Sequence, residues 1–223
     1  MDVHIFGEQV ELWIGPLPIT ATMLSTVGVS VCVVAAAALL CRSVARRPES
    51  TAAALGVITV EWLDEMVREI VGRPEPRLVT LSGSLFVYVA AANLSGLLPG
   101  VPRPTASLAA TSGLAAVVFC AVPFAGIATR GLRDYLRDYV RPNPLLLPLH
   151  LVSEMSRTVA LSVRLFGNMM SGQLIVALLV ALTGFLVPMP LMALDLLIGL
   201  LQAYIFTVLA TVYVGAAIRA TAE

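Results

Sequence analysis

Long stretches without a single charged residue govern what this chain can fold into. Asp, Glu and Arg are absent from Leu12 to Cys41, Leu78 to Pro102, Pro104 to Thr129, Leu165 to Leu194 and Leu196 to Ile218. A bilayer crossing needs about 20 mostly apolar residues, so each window has spanning length. Composition agrees, with 58% of residues hydrophobic and 13% charged, against roughly 45–50% and about 25% in soluble domains. A soluble domain is excluded. The expectation is an all-α integral membrane protein, one membrane domain over 1–223, with five transmembrane helices at about 17–41, 78–99, 104–129, 145–187 and 190–218.

The charges between the windows set the orientation. Asp2, Glu8 and Glu11 precede the first window, and Arg42, Arg46 and Arg47 follow it. A secretory signal would carry a basic flank upstream, so this segment reads as a span. Arginine marks the cytoplasmic side, which puts the N-terminus outside and the C-terminus in the cytoplasm. The segment Arg130 to Arg141, with Arg133 and Arg137 inside it, fits a second cytoplasmic loop. Fourteen acidic residues balance fourteen basic ones, all arginine, so nothing suggests a nucleic-acid partner. The absence of lysine also removes Schiff-base and P-loop chemistry. Cys32, Cys41 and Cys120 have no metal or CxxC spacing and read as small core residues.

Two segments depart from simple spans. Between Thr51 and Gly72, apolar Leu55, Ile58, Trp62, Met66 and Ile70 alternate at helical spacing with Glu61, Asp64, Glu65, Arg68 and Glu69. That is an amphipathic helix lying on the membrane surface or against a partner helix. The second segment runs from Pro144 to Val187, helical in pattern throughout. A helix of about 40 residues is roughly 60 Å long, twice the hydrocarbon thickness, so it is steeply tilted, partly interfacial or broken. The one plausible break is Gly167 to Gly172; the positive-inside rule, through Arg219, favours a single pass. Pro188-Met189-Pro190 then reverses the chain, making a long tilted hairpin of the last two helices.

Polar groups inside the apolar windows carry the functional signal. A charge at membrane depth costs about 2.5–3.5 kcal/mol or more, so each demands a reason. Arg164 is the main candidate; its guanidinium stays protonated at physiological pH and is a fixed charge, not a proton carrier. Arg157, Asn168 and Ser171 project onto the same helical face, and Gly167 and Gly172 beside it allow close approach of another helix. A snorkelling arginine would account for the charge but not for the whole polar stripe. In the last span Asp195, Gly199 and Gln202 share one face, and across the turn Gln173 and Asp195 fall at similar depth. Interhelical hydrogen bonding, at about 0.6–2 kcal/mol each, is the structural reading of Asn93 and Gln202.

The run Ser162-Val-Arg-Leu-Phe-Gly-Asn-Met-Met-Ser-Gly-Gln173, with Leu201-Gln-Ala-Tyr-Ile-Phe-Thr-Val-Leu209, resembles subunit a of F-type ATP synthases. Asn93-Leu-Ser-Gly-Leu-Leu-Pro99 is similar to a further segment of that family, and the resemblance covers about residue 78 to the end. It implies a stator subunit of a rotary motor in the bacterial plasma membrane, not catalytic alone and with no cofactor or metal. Implied partners are the rotor-ring subunit c oligomer, peripheral-stalk subunit b, the remaining complex, lipid, and transported H+ or Na+. Arg164 would be the essential charge facing the rotor carboxylates. Asn93, Gln173, Asp195 and Gln202 would line an outer half-channel. His150, Glu154 and Arg157 would border a cytoplasmic one, and Asn168 completes the ion path.

The chain departs from the family pattern at three points. Gln173 stands where many proton-driven members have Glu, Asp195 where several have His, and His150 where Glu is commoner. Both a proton-driven machine and a sodium-driven one, as in the divergent N-type ATPases, stay open. From another class, a self-contained ion channel or secondary transporter is the alternative; the chain lacks the repeat symmetry and paired broken helices such transporters often show. An intramembrane hydrolase lacks its nucleophile–base pair.

Overall fold

The structure, a computed structural model, describes residues 10–14, 17–46, 49–97, 103–133, 147–184 and 187–219. The sequence's turn at Pro99–Pro102, most of the arginine-rich loop after Arg133, and the acidic residues Asp2 and Glu8 lie outside the described residues.

The chain begins its described part with a small antiparallel hairpin, β1 (Val10–Ile14) and β2 (Leu17–Thr20). Helices follow: α1 (Ala21–Arg46), α2 (Thr51–Val71), α3 (Pro76–Leu94), α4 (Leu108–Arg130), α5 (Leu147–Thr183) and α6 (Met189–Arg219). Short 3-10 turns at Ser95–Leu97 and Pro104–Ala106 flank the α3–α4 connection. All but α2 are long and apolar enough to cross a membrane. The membrane body is therefore all-helical. The first span starts at Ala21 rather than near 17, because Leu17–Thr20 pairs with β1.

Helix α6 is the hub: of the five spanning helices its apolar stretch is the most enclosed and that of α1 the least. Phe206, Ala203 and Ala210 of α6 meet Leu85 and Val89 of α3, Val118 of α4, and Leu161, Leu165 and Met169 of α5. Polar links run through this apolar contact. The Thr211 hydroxyl donates to the Thr207 carbonyl (2.8 Å) and so accepts from Ser82 (2.7 Å), joining α3 to α6. Such a bond adds about 0.6 kcal/mol between membrane helices.

Helix α5 is unbroken over 37 residues, about 55 Å at 1.5 Å per residue. Gly167 and Gly172 do not interrupt it. It ends at Gly184, whose φ of 78° is left-handed and whose N–H reaches the Val180 carbonyl at 3.1 Å. Pro190 sits in the first turn of α6, where its missing N–H costs nothing.

Two expectations are corrected. Helix α2 is capped by Ser50, whose Oγ accepts from the Ala53 N–H at 3.2 Å, but its core-facing side is Leu63, Met66, Val67 and Val71. Leu55 and Ile58, from the expected stripe, are exposed. Met66 and Ile70 of that stripe pack into the core and the Trp62 ring lies against Phe86 of α3 and Tyr204 of α6, so the packed face extends beyond the stripe to Leu63, Val67 and Val71 while the stripe's N-terminal end stays exposed. The partner helices are thus those of the chain itself. Likewise Cys32, Cys41 and Cys120 are exposed, not in the core. In a bilayer the exterior is apolar too, so a small hydrophobe gains nothing by facing inward.

Candidate functional site

A buried polar cluster that includes charges of both signs lies where the α3–α4 connection meets the start of α6. Asn93, at the last turn of α3, is 4% exposed. Its amide donates to the Gly199 carbonyl and its oxygen accepts from Thr105, each at 2.7 Å. The helices approach closely at this contact: a Cβ at position 199 would sit 3.1 Å from that of Asn93. Beside them the Arg103 guanidinium and the Asp195 carboxylate form an ion pair, at 7% and 5% residual exposure. Glycines make room on both flanks. A Cβ at Gly96 would overlap the Arg103 side chain, and one at Gly172 of α5 would overlap the Asp195 carboxylate, 2.9 Å from its Cγ.

Gly172 of α5 lies directly against Asp195. Gln173 follows it, half-buried. Arg103 is the site residue that sequence reasoning missed. Its neighbours Pro102 and Pro104 made it look like an edge charge between two windows. A signal existed: Arg103 is the sole basic residue between Arg77 and Arg130, on the end of the bundle where Asp195 needs a counter-ion.

Further along α5, the Asn168 amide donates to Gln202 Oε1 at 2.7 Å, and Gln202 is buried. One turn before it stands Arg164. Leu161, Leu165 and Met169 turn α5 toward the core, so Arg164, Gly167, Asn168 and Ser171 lie on its exposed side. At the opposite end of α5 a cleft is lined by Glu154, Arg157 and Thr158, with Tyr213 of α6 and Phe119 and Val122 of α4. The Arg157 guanidinium lies 5.7 Å from the Tyr213 ring centroid, a cation–π contact. His150 is on an exposed turn one turn before Glu154. Along α5, Arg164 is thus seven residues from Arg157 and eight from Gly172, about 10 and 12 Å at 1.5 Å per residue. Among the described residues, no three His, Cys, Asp or Glu side chains converge as a metal site.

Fold and site together define an integral membrane protein with a polar seam between its packed helices and a fixed cation on an uncovered face. The profile of the family "ATP synthase A chain" matches residues 21–215. "ATP synthase subunit a 2" of Bradyrhizobium sp. is 44% identical over 215 residues, 94% of each chain. "ATP synthase subunit a 1" of Chlorobium luteolum is 40% identical, covering 99% of this chain and all of the relative. "ATP synthase subunit a" of Nitrosospira multiformis is 53% identical over 66% of this chain and 59% of its own. The chain belongs to the ATP synthase A chain family.

Proposed function

We propose that the chain is the ion-conducting stator subunit a of a rotary F-type ATP synthase in a bacterial plasma membrane, with Arg164 as its essential charge. The observation that carries this reading is the position of Arg164: exposed at mid-helix, between a polar cleft at one end of α5 and a polar pocket at the other. A guanidinium facing hydrocarbon costs about 2.5–3.5 kcal/mol or more. An anionic partner inside the membrane removes that cost, and a ring of subunits each carrying a membrane carboxylate is such a partner. Gly167 and Ser171 on the same face are small enough for a passing helix.

The chemistry follows from charge. A permanent cation favours the ionised carboxylate, so a rotor site arriving at Arg164 gives up its ion. The same cation repels a free ion, so none passes directly from pocket to cleft. Ions therefore enter on one side, ride the ring, and leave on the other. Asn93, Gln173, Asp195, Gln202 and Asn168 belong to the outer route, His150, Glu154 and Arg157 to the cytoplasmic one. The N-terminus lies outside and the C-terminus in the cytoplasm. ATP chemistry occurs elsewhere in the complex, and subunit b anchors this chain to the peripheral stalk.

Cross-linking tests the rotor interface. In a background lacking the exposed Cys32, Cys41 and Cys120, Ser171→Cys is expected to form a disulfide with a cysteine introduced on the outer face of the rotor-ring helix. Absence of any such product in assembled complexes would count against the reading. Coupled transport measured with and without sodium identifies the ion.

A further inference from the structure

The outer pocket holds a buried charge of each sign, and that pairing bears on how an ion passes. Asp195 is the sole acidic residue of α6, and its ion-pair partner comes from the α3–α4 connection, 92 positions away in sequence. Both members are more than nine-tenths buried. Two glycines on two different elements, Gly96 and Gly172, provide the space the pair occupies. A site that served only to offer a carboxylate to an incoming cation would not need a guanidinium on that carboxylate. At short range an unscreened charge in a poorly hydrated pocket binds a counter-ion strongly.

We propose that Arg103 is a specificity-determining residue for ion entry: its fixed positive charge cancels that of Asp195, so the outer pocket stays neutral and does not retain the cation that passes through it. The inference rests on the ion-path reading of this pocket. Asp195 then acts as the counter-ion of Arg103 and not as a carrier of the transported ion. Asn93, Thr105 and the Gly199 carbonyl, held together at 2.7 Å, supply the uncharged polar wall beside the pair. A passing ion meets dipoles there and no net charge.

The test is a charge cycle in the intact complex, reconstituted in lipid vesicles, with ATP-driven pumping followed as sodium chloride is varied. The read quantity is the sodium concentration giving half its effect, activating or inhibiting. Arg103→Met leaves the pocket net negative and is expected to lower that concentration about tenfold or more. Asp195→Asn leaves it net positive and is expected to raise it. The double variant, neutral again, is expected to return close to the unmodified value, and Arg103→Lys, which keeps the charge, to stay near it. A merely structural clasp predicts losses of assembly or rate without opposite shifts. Single variants that shift in the same direction, or a double variant as inactive as Asp195→Asn, would overturn the proposal. Should Arg103→Met not assemble, Arg103→Gln, which keeps a donor toward the carboxylate, is read by the same titration. Arg164→Ala is run alongside: coupled pumping in that variant would defeat the stator reading itself, whereas an inactive Arg164→Ala with no shift in the Arg103 variants defeats this inference alone.

Discussion

Asn168 and Gln202 join the last two helices by a 2.7 Å hydrogen bond one turn from Arg164. Gln202 is 2% exposed, so its amide oxygen has no water to turn to if Asn168 is lost. The bond fixes the register of α5 against α6 at the level where the fixed charge sits. Asn168→Ala and Gln202→Ala are each expected to weaken coupled transport several-fold. In a double-mutant cycle their effects on complex stability should couple by about 0.6–1.7 kcal/mol. Strictly additive effects would show that the bond does not hold the register.

Gly172→Ala is expected to destabilise the complex by about 1–3 kcal/mol, because the new methyl group overlaps the Asp195 carboxylate. Helix propensity alone predicts the opposite sign, since alanine is favoured over glycine by about 1 kcal/mol. Thermal denaturation of purified complexes carrying the variant decides between packing and propensity.

Gly167 gives the complementary case. A Cβ there meets nothing within 4 Å in the chain itself. Gly167→Leu should therefore fold and insert normally, yet stall a rotor that passes beside Arg164. The expected outcome is normal amounts of subunit in the membrane with ATP-driven pumping reduced at least about tenfold, a barrier rise of roughly 1.4 kcal/mol. Wild-type pumping in this variant would place the rotor on another face.

Ser82 and Thr211 lie away from the ion route and test stability alone. Ser82→Ala leaves the buried Thr211 hydroxyl still bound to the Thr207 carbonyl. The loss should stay near 1 kcal/mol, with transport unchanged. Denaturation and pumping measured on the same preparation check both halves.

Much of the architecture was legible because charge placement is so constrained in a membrane chain. The gaps between charges marked the five spanning helices; the absence of proline after Pro148 left Gly167 to Gly172 as the one plausible break in α5, and the helix runs unbroken through it. Faces were harder to read. Sequence periodicity located the amphipathic α2 and put Trp62 and Met66 on its packed face, but not that the packing extends to Leu63 and Val67 while Leu55 and Ile58 stay exposed. The cysteines misled for the same reason: apolarity separates inside from outside only when the outside is water. At the site, the polar stripe of α5 and the Asp195–Gln202 face of α6 were readable from spacing. Arg103 was not, because its pairing depends on how the α3–α4 connection folds over α6, a contact 92 positions long.

The central claim is that Arg164 couples ion movement to rotation. Its most direct test is ATP-driven ion pumping by reconstituted complexes carrying Arg164→Ala, with assembly verified on the same sample. The account predicts a complete, correctly assembled complex that pumps no ions. Coupled pumping at the rate of the unmodified complex would contradict it.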